Sequence, residues 1–212
     1  MKCNFYKYHG AGNDFILIDN RNKNFPAGRG VVANLCTRRT GIGADGLILL
    51  ESSGNADFSM RYFNADGGES TLCGNGGRCI TAFAARLGMI ENKTVFSAID
   101  GLHEAEILHY HNTESLVKLK MNHISEVTEM EEGIFLNTGS PHLIIFTEDT
   151  ESIDVVHQGR KLRNLEKFAP DGVNVNFVQS MPGGIRVRTY ERGVEDETLS
   201  CGTGVVASSV AL

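Results

Sequence analysis

Two short phrases hold most of the chemistry available to this sequence. ESTLCGNGGRC runs from Glu69 to Cys79, and DETLSCGTGVV from Asp196 to Val206. Each carries an acid, Thr and Leu, and then Cys-Gly-polar-Gly. The Gly-Asn-Gly and Gly-Thr-Gly steps stand at the start of Ala- and Val-rich runs that read as helices, 74–88 and 202–212. At a helix start several backbone N–H groups point into one small space, and the helix dipole adds positive potential. That field binds a carboxylate. It also stabilises a thiolate, lowering a cysteine pKa from ~8.5 into the ~3.5–7.5 range. One thiolate and one thiol could take a Cα proton from one face of an amino acid and return a proton to the other. Cys73 and Cys201 are therefore the expected base–acid pair. The backbone of Gly74–Asn75 and Gly202–Thr203 is the expected carboxylate cradle.

Three other readings compete with this one. Cys73 and Cys201 could form a switchable disulfide in a thiol redox protein, their oxidation could be damage alone, or the chain could be a binding module. The five cysteines are odd in number, irregularly spaced and without a CxxC pair, which fits neither a disulfide framework nor a zinc site. The histidines include one HxH, His109-Tyr110-His111, but no HExxH, and no Walker motif occurs, so no metal and no cofactor is expected. Asn13, Asn64, Asn75 and Asn174 stand beside glycines at strand ends, where amides can bind ammonium and carboxylate groups. Glu191 and Arg192 offer one charge of each sign. For His9 and His142, each beside a Gly-rich phrase, a structural hydrogen bond is the expected role.

The elements that must position these residues are mostly strands: 15–19, 46–51, 58–64, 94–98, 104–110, 115–121, 142–148, 173–179 and 184–191. Besides 74–88 and 202–212, helices are expected at 29–38 and 155–168. Four motifs recur at an offset of 127–128 residues in one order. GNDFILI lies over GSPHLII, ADGLILL over GVNVNFV, MRYFNADG over VRTYERGV, and one cysteine phrase over the other. The expectation is two homologous strand-rich halves, 1–121 and 122–212, each with a helix beginning at its Cys-Gly phrase. A linker is expected in the acidic stretch 122–133. The chain ends eleven residues after Cys201 inside an apolar run, so the second half is expected to be truncated.

Apolar residues make up 41% and charged residues 22%, as in ordinary globular proteins. A net charge of −6 without a Lys/Arg cluster argues against nucleic acid or an anionic membrane as the main partner. No apolar run approaches a membrane span and the first residues lack a signal-like apolar stretch, so a cytoplasmic location is expected.

Together, HGAGNDF, GIGADG, FNADGGESTLCGNGGRC, NTGSPH, GVNVNF and YERGVEDETLSCGTG resemble diaminopimelate epimerase, from Tyr8 to the last residues. The resemblance implies an α+β fold of two similar barrel or roll units, each around a central helix. It implies a pyridoxal-phosphate-independent isomerase that interconverts LL- and meso-diaminopimelate for lysine and peptidoglycan synthesis, and a possible homodimer. By resemblance, Asn13, Asn64, Asn174, Glu191 and Arg192 bind substrate, while His142 and Glu191 position the cysteines. Proline and hydroxyproline racemases share the paired phrases, but GAGNDF and CGNG with Arg78 favour the first family. The sequence departs from the common pattern at Gly46, where Gln is frequent, at Ser140, where Asn is frequent, and in GVEDET, which is one residue longer than GVGET.

Overall fold

The computed structural model describes residues 3–111, 113–121 and 123–212. Asn122, where the boundary between halves is expected, and Met1 and Lys2 of the chain start lie outside these residues. The chain divides into two compact units, Met1–Met121 and Asn122–Leu212.

Unit 1 runs β1 (Tyr6–Gly10), β2 (Asn13–Asp19), α1 (Arg29–Cys36), β3 (Gly46–Glu51), β4 (Phe58–Asn64), β5 (Glu69–Ser70), α2 (Gly74–Arg86), β6 (Lys93–Ala98), β7 (Gly101–His111) and β8 (Glu114–Leu119). The sheet order is β1-β2-β3-β4-β6-β7-β8, with β5 on β4. Strands β2 and β3 are parallel, joined over one face by α1. On the other face α2 packs against β1, β2, β3, β4, β7 and β8, so the sheet wraps around it. Strand β3, GLILLE, is buried on both faces, as a covered parallel pairing requires. Ile48 and Leu50 pack on the α2 side with Phe58, Phe83 and Phe96. Leu47 and Leu49 pack with Val32 and Cys36 of α1.

Unit 2 repeats this plan. It runs β9 (Val127–Met130), β10 (Gly133–Asn137), β11 (Pro141–Phe146), α3 (Val155–Arg163), a 3₁₀ turn (Glu166–Phe168), β12 (Asn174–Met181), β13 (Gly184–Glu191), β14 (Asp196–Thr198) and α4 (Gly202–Ala211). The sheet order is β14-β13-β12-β11-β10-β9. Strands β11 and β12 are parallel around α3, as β2 and β3 are around α1. Val175 and Phe177 face α3, while Val178 packs with Ala207 of α4. The registers coincide. Phe15 pairs with Gly46 as His142 pairs with Asn174. Ile48 pairs with Tyr62 as Asn176 pairs with Thr189. The internal duplication read from sequence offsets is thus a duplication of topology.

Several boundaries differ from expectation for local reasons. Helix α2 stops at Arg86 because Gly88 turns left-handed at φ 69° and its N–H bonds the Ala85 carbonyl. The helix expected over 155–168 breaks after Arg163. Asn164 caps it, its Nδ2 donating to the Arg160 carbonyl at 2.8 Å, and Leu165 is extended. The helix expected over 29–38 ends at Cys36, where Thr37 is extended. The stretch expected as a linker carries β9, which pairs with β10 in a hairpin.

Candidate active site

In both units the chain leaves a short edge strand and enters a helix through a cysteine. Cys73 is extended (φ −92°, ψ 123°) and is the N-cap of α2; Cys201 (φ −122°, ψ 100°) is the N-cap of α4. Neither side chain caps its helix, and neither helix has an acid in its first turn. The first-turn N–H groups therefore lack an intrahelical partner. Residues 74–77 can approach the sheet because three of them are glycine. A Cβ on Gly76 would come 3.0 Å from Ile48 Cδ1, whereas one on Gly204 would come 2.3 Å from Asn176 Oδ1.

The side chains around the two sulfurs differ in kind. Cys73 Sγ donates to Asn13 Oδ1 at 3.6 Å, and Asn75 Nδ2 donates to the same oxygen at 3.3 Å. Arg78 holds the other end of the Asn75 amide. The Nδ2 of Asn13 donates to Asp45 Oδ2 at 2.8 Å. Asp45 is ion-paired with Arg38 at 2.5 Å, and Arg38 also pairs with Asp14. Burial pushes Asp14 up, but hydrogen bonds from Arg38 and Lys7 outweigh it and hold the carboxyl well below the usual range.

Around Cys201 a buried polar chain replaces this surface-linked one. Sγ lies 3.4 Å from Thr203 Oγ1, which lies 3.0 Å from His142 Nε2. On the far side of the ring, His142 Nδ1 lies 3.0 Å from Asn176 Nδ2, and Thr189 Oγ1 donates to Asn176 Oδ1 at 2.8 Å. His142 and Asn176 are fully buried. Burial, with the Arg192 charge nearby, drives His142 down to about 3 against the opposing hydrogen bond to Asn176. The imidazole is therefore neutral at pH 7.

The remaining expected residues fall at the ends of the same strands. Asn64 closes β4 opposite Gly46, and Glu191 closes β13 at the matching place. Asn174 is buried and heavily committed. Its Nδ2 donates to Ser140 Oγ at 2.8 Å and the Pro141 carbonyl at 3.1 Å, and its Oδ1 accepts from the Arg192 N–H at 3.0 Å. As placed, it fixes Ser140 and Arg192. At Gly46 a Cβ would come 2.6 Å from Tyr62 Cε2 and from the Phe63 carbonyl, so Tyr62 and backbone fill the space a longer residue would need. His9 Nδ1 accepts from Gly12 N–H at 3.4 Å within its own turn. Cys36 and Cys79 are buried free thiols; burial pushes them to about 11 and about 12. Both stay protonated at pH 7. Among the described residues no group of three His, Cys, Asp or Glu is placed to hold a metal ion.

The sequence model of the family described as Diaminopimelate epimerase matches residues 5–125 and 134–212. The protein of that name from Flavobacterium psychrophilum is 52% identical over 209 residues, covering 98% of this chain and 80% of that one. The chain belongs to the diaminopimelate epimerase family. The Chlorobaculum tepidum diaminopimelate epimerase is 45% identical over 212 residues, covering 95% of this chain and 80% of its own. Among solved structures, a Bacillus anthracis phenazine biosynthesis protein of the PhzF family superposes with a TM-score of 0.72 at 15% identity, covering 98% of this chain and 79% of that one. A hydroxyproline epimerase from Agrobacterium vitis superposes with a TM-score of 0.69 at 18% identity, covering 97% and 75%. These likenesses concern the fold, a pair of strand-rich units each holding a helix.

Within this diaminopimelate epimerase fold, sequence reasoning missed Asn176, Thr189 and Asp45. The first two could be found by laying the halves over each other at their offset. Asn176 falls on Ile48 and Thr189 on Tyr62, so polar residues stand where the other half is apolar.

Proposed function

We propose that the protein interconverts LL- and meso-diaminopimelate by a two-base mechanism in which Cys73 and Cys201 serve as thiolate and thiol. The observation that carries this reading is the repeated placement of a cysteine as N-cap of a Gly-rich helix at equivalent points of two duplicated units. A stereocentre has two faces, and the two half-sites supply one base each. The thiolate takes the Cα proton and becomes a thiol; the other thiol gives its proton to the opposite face and becomes the thiolate. The exchange leaves the pair reversed and consumes nothing. The helix N-termini at Gly74–Asn75 and Gly202–Thr203 would hold the reacting α-carboxylate and oppose the charge that develops on it. Asn13, Asn64, Asn174, Glu191 and Arg192 would bind or position the substrate's polar groups, with His142 behind Thr203.

A substrate of this class needs neither nucleic acid nor membrane. Among the described residues no helix is long and apolar enough to cross a bilayer. A reducing cytoplasm suits thiol chemistry, and a homodimer remains part of the reading by resemblance. The 52% identity to a diaminopimelate epimerase, against 18% to a hydroxyproline epimerase, favours the longer diamino diacid over proline. Incubation with LL-diaminopimelate and, separately, L-proline, without pyridoxal phosphate, tests this by chiral chromatography. Epimerised diaminopimelate with unchanged proline is expected. Racemised proline with unchanged diaminopimelate would overturn the reading.

A further inference from the structure

A two-base reaction starts from one thiol and one thiolate, and the hydrogen bonds behind each sulfur have a direction. We infer that the resting enzyme keeps the proton on Cys73 and the negative charge on Cys201, and that Asp45, Asn176 and Thr189 are the positioning residues that set this order. The inference rests on the epimerase reading above.

In unit 1 the orientation of the Asn13 amide decides. Its Nδ2 faces Asp45 Oδ2, a carboxylate oxygen that only accepts and that also takes the Asp14 N–H at 3.1 Å. Its Oδ1 is therefore the end that faces Cys73 Sγ. A carbonyl oxygen offers lone pairs, so a protonated sulfur satisfies it and a thiolate would oppose it. Asp45 acts on the sulfur only through this amide.

In unit 2 four donors point one way. The Nδ2 of Asn176 also lies 3.3 Å from the Leu143 carbonyl and 3.4 Å from the Asn174 carbonyl, both acceptors only. The Thr189 hydroxyl donates to the opposite end. The amide therefore presents its NH₂ to His142 Nδ1, which must be the unprotonated nitrogen. The ring proton sits on Nε2 and is donated to Thr203 Oγ1. The single hydroxyl proton of Thr203 is then directed at Cys201 Sγ. A sulfur that receives a hydrogen bond is favoured as thiolate. Unit 1 has Phe15, Ile48 and Tyr62 at the places of His142, Asn176 and Thr189, so it cannot build the same relay.

Resonances of isotope-labelled cysteine Cβ, which separate thiol from thiolate, and of histidine ring nitrogens test this on the resting protein at pH 7. The expected spectrum has Cys201 as thiolate, Cys73 as thiol and His142 as the Nε2–H tautomer. Asn176→Asp inverts the relay. A carboxylate accepts from Nδ1–H, Nε2 then accepts from Thr203, and the sulfur loses the Thr203 hydrogen bond. Cys201 should move toward thiol, and kcat should fall roughly tenfold or more with KM within about twofold, because a wrong tautomer misdirects the proton while leaving the geometry in place. Should that variant fail to fold, Asp45→Asn is the alternative. It lets the Asn13 amide turn over, and Cys73 should gain thiolate character. A wild-type spectrum with Cys73 as thiolate or His142 as the Nδ1–H tautomer would overturn the inference. So would an inverted tautomer that leaves Cys201 and kcat unchanged. The resonances are read without substrate. A protein with this proton order that leaves diaminopimelate unepimerised would sink the proposed function while supporting the order.

Discussion

Phe15, Ile48 and Tyr62 in unit 1 and His142, Asn176 and Thr189 in unit 2 occupy the same register positions beneath equivalent helices. The first set packs as an aromatic–aliphatic layer, with the Phe15 and Tyr62 rings 5.9 Å apart edge to face. The second is a buried hydrogen-bonded chain ending at Cys201. Duplication supplied two copies of one scaffold: a parallel strand pair around a helix, then a cysteine at a second helix start. Divergence under the helices made the two cysteines chemically unequal. A buried polar chain is costly unless every member is satisfied, so unit 2 should respond more sharply to substitution than unit 1.

The largest expected effect removes the symmetry altogether. Cys73→Ala and Cys201→Ala should each lower the epimerisation rate by about 10³-fold or more, because either face without its base blocks the full cycle. A variant that retains near-normal turnover in a chiral assay would break the pairing of the two units.

Next come the glycines that let each helix approach its sheet. Gly204→Ala should cost about 3 kcal/mol, since its Cβ would press on the oxygen of a fully buried amide. Gly76→Ala should cost about 1 kcal/mol or less, because the tips of Ile48 and Met60 can yield. Urea denaturation of both variants reads the difference; equal losses would contradict the contrast. Thr189→Val leaves Asn176 Oδ1 without its donor and should cost about 1–3 kcal/mol. At the matching layer of unit 1, Ile48→Val should cost about 0.5–1.5 kcal/mol.

Acid also separates the units. His142 titrates at 6.5 when unfolded and about 3 when folded. The neutral form is favoured by folding, so its stabilisation is complete above pH 6.5 and is lost progressively as pH falls toward 3. Asp14 is also depressed, from 3.8, so its contribution is lost only below about pH 4. Hydrogen exchange should therefore rise in unit 2 at a higher pH than in unit 1. Simultaneous loss would count against the buried neutral histidine.

Much of this was legible in the sequence, and the physical reason differs by element. Helices α2 and α4 announce themselves by local signals, Gly-rich starts and Ala/Val-rich runs. The central strands do so by apolar runs or alternation. Strands β1, β9, β10 and β14 are short or lie at sheet edges, where half-buried patterns resemble loops. The cysteine pair emerged from the offset between halves. Asn176 and Thr189 stand out at the same offset as polar residues over Ile48 and Tyr62, but their role becomes legible only when the fold links them to His142. Asp45 became visible only through the contact between the β3 entry and Asn13.

The central claim is that two bases, one from each unit, work on opposite faces of one carbon. LL-diaminopimelate in deuterium oxide, stopped at early conversion and analysed by mass spectrometry, tests it directly. The account predicts one deuterium at the inverted Cα of meso product and none in recovered LL substrate. Deuterium in recovered substrate at the same rate, or product that keeps its original hydrogen, would contradict it and indicate a single base.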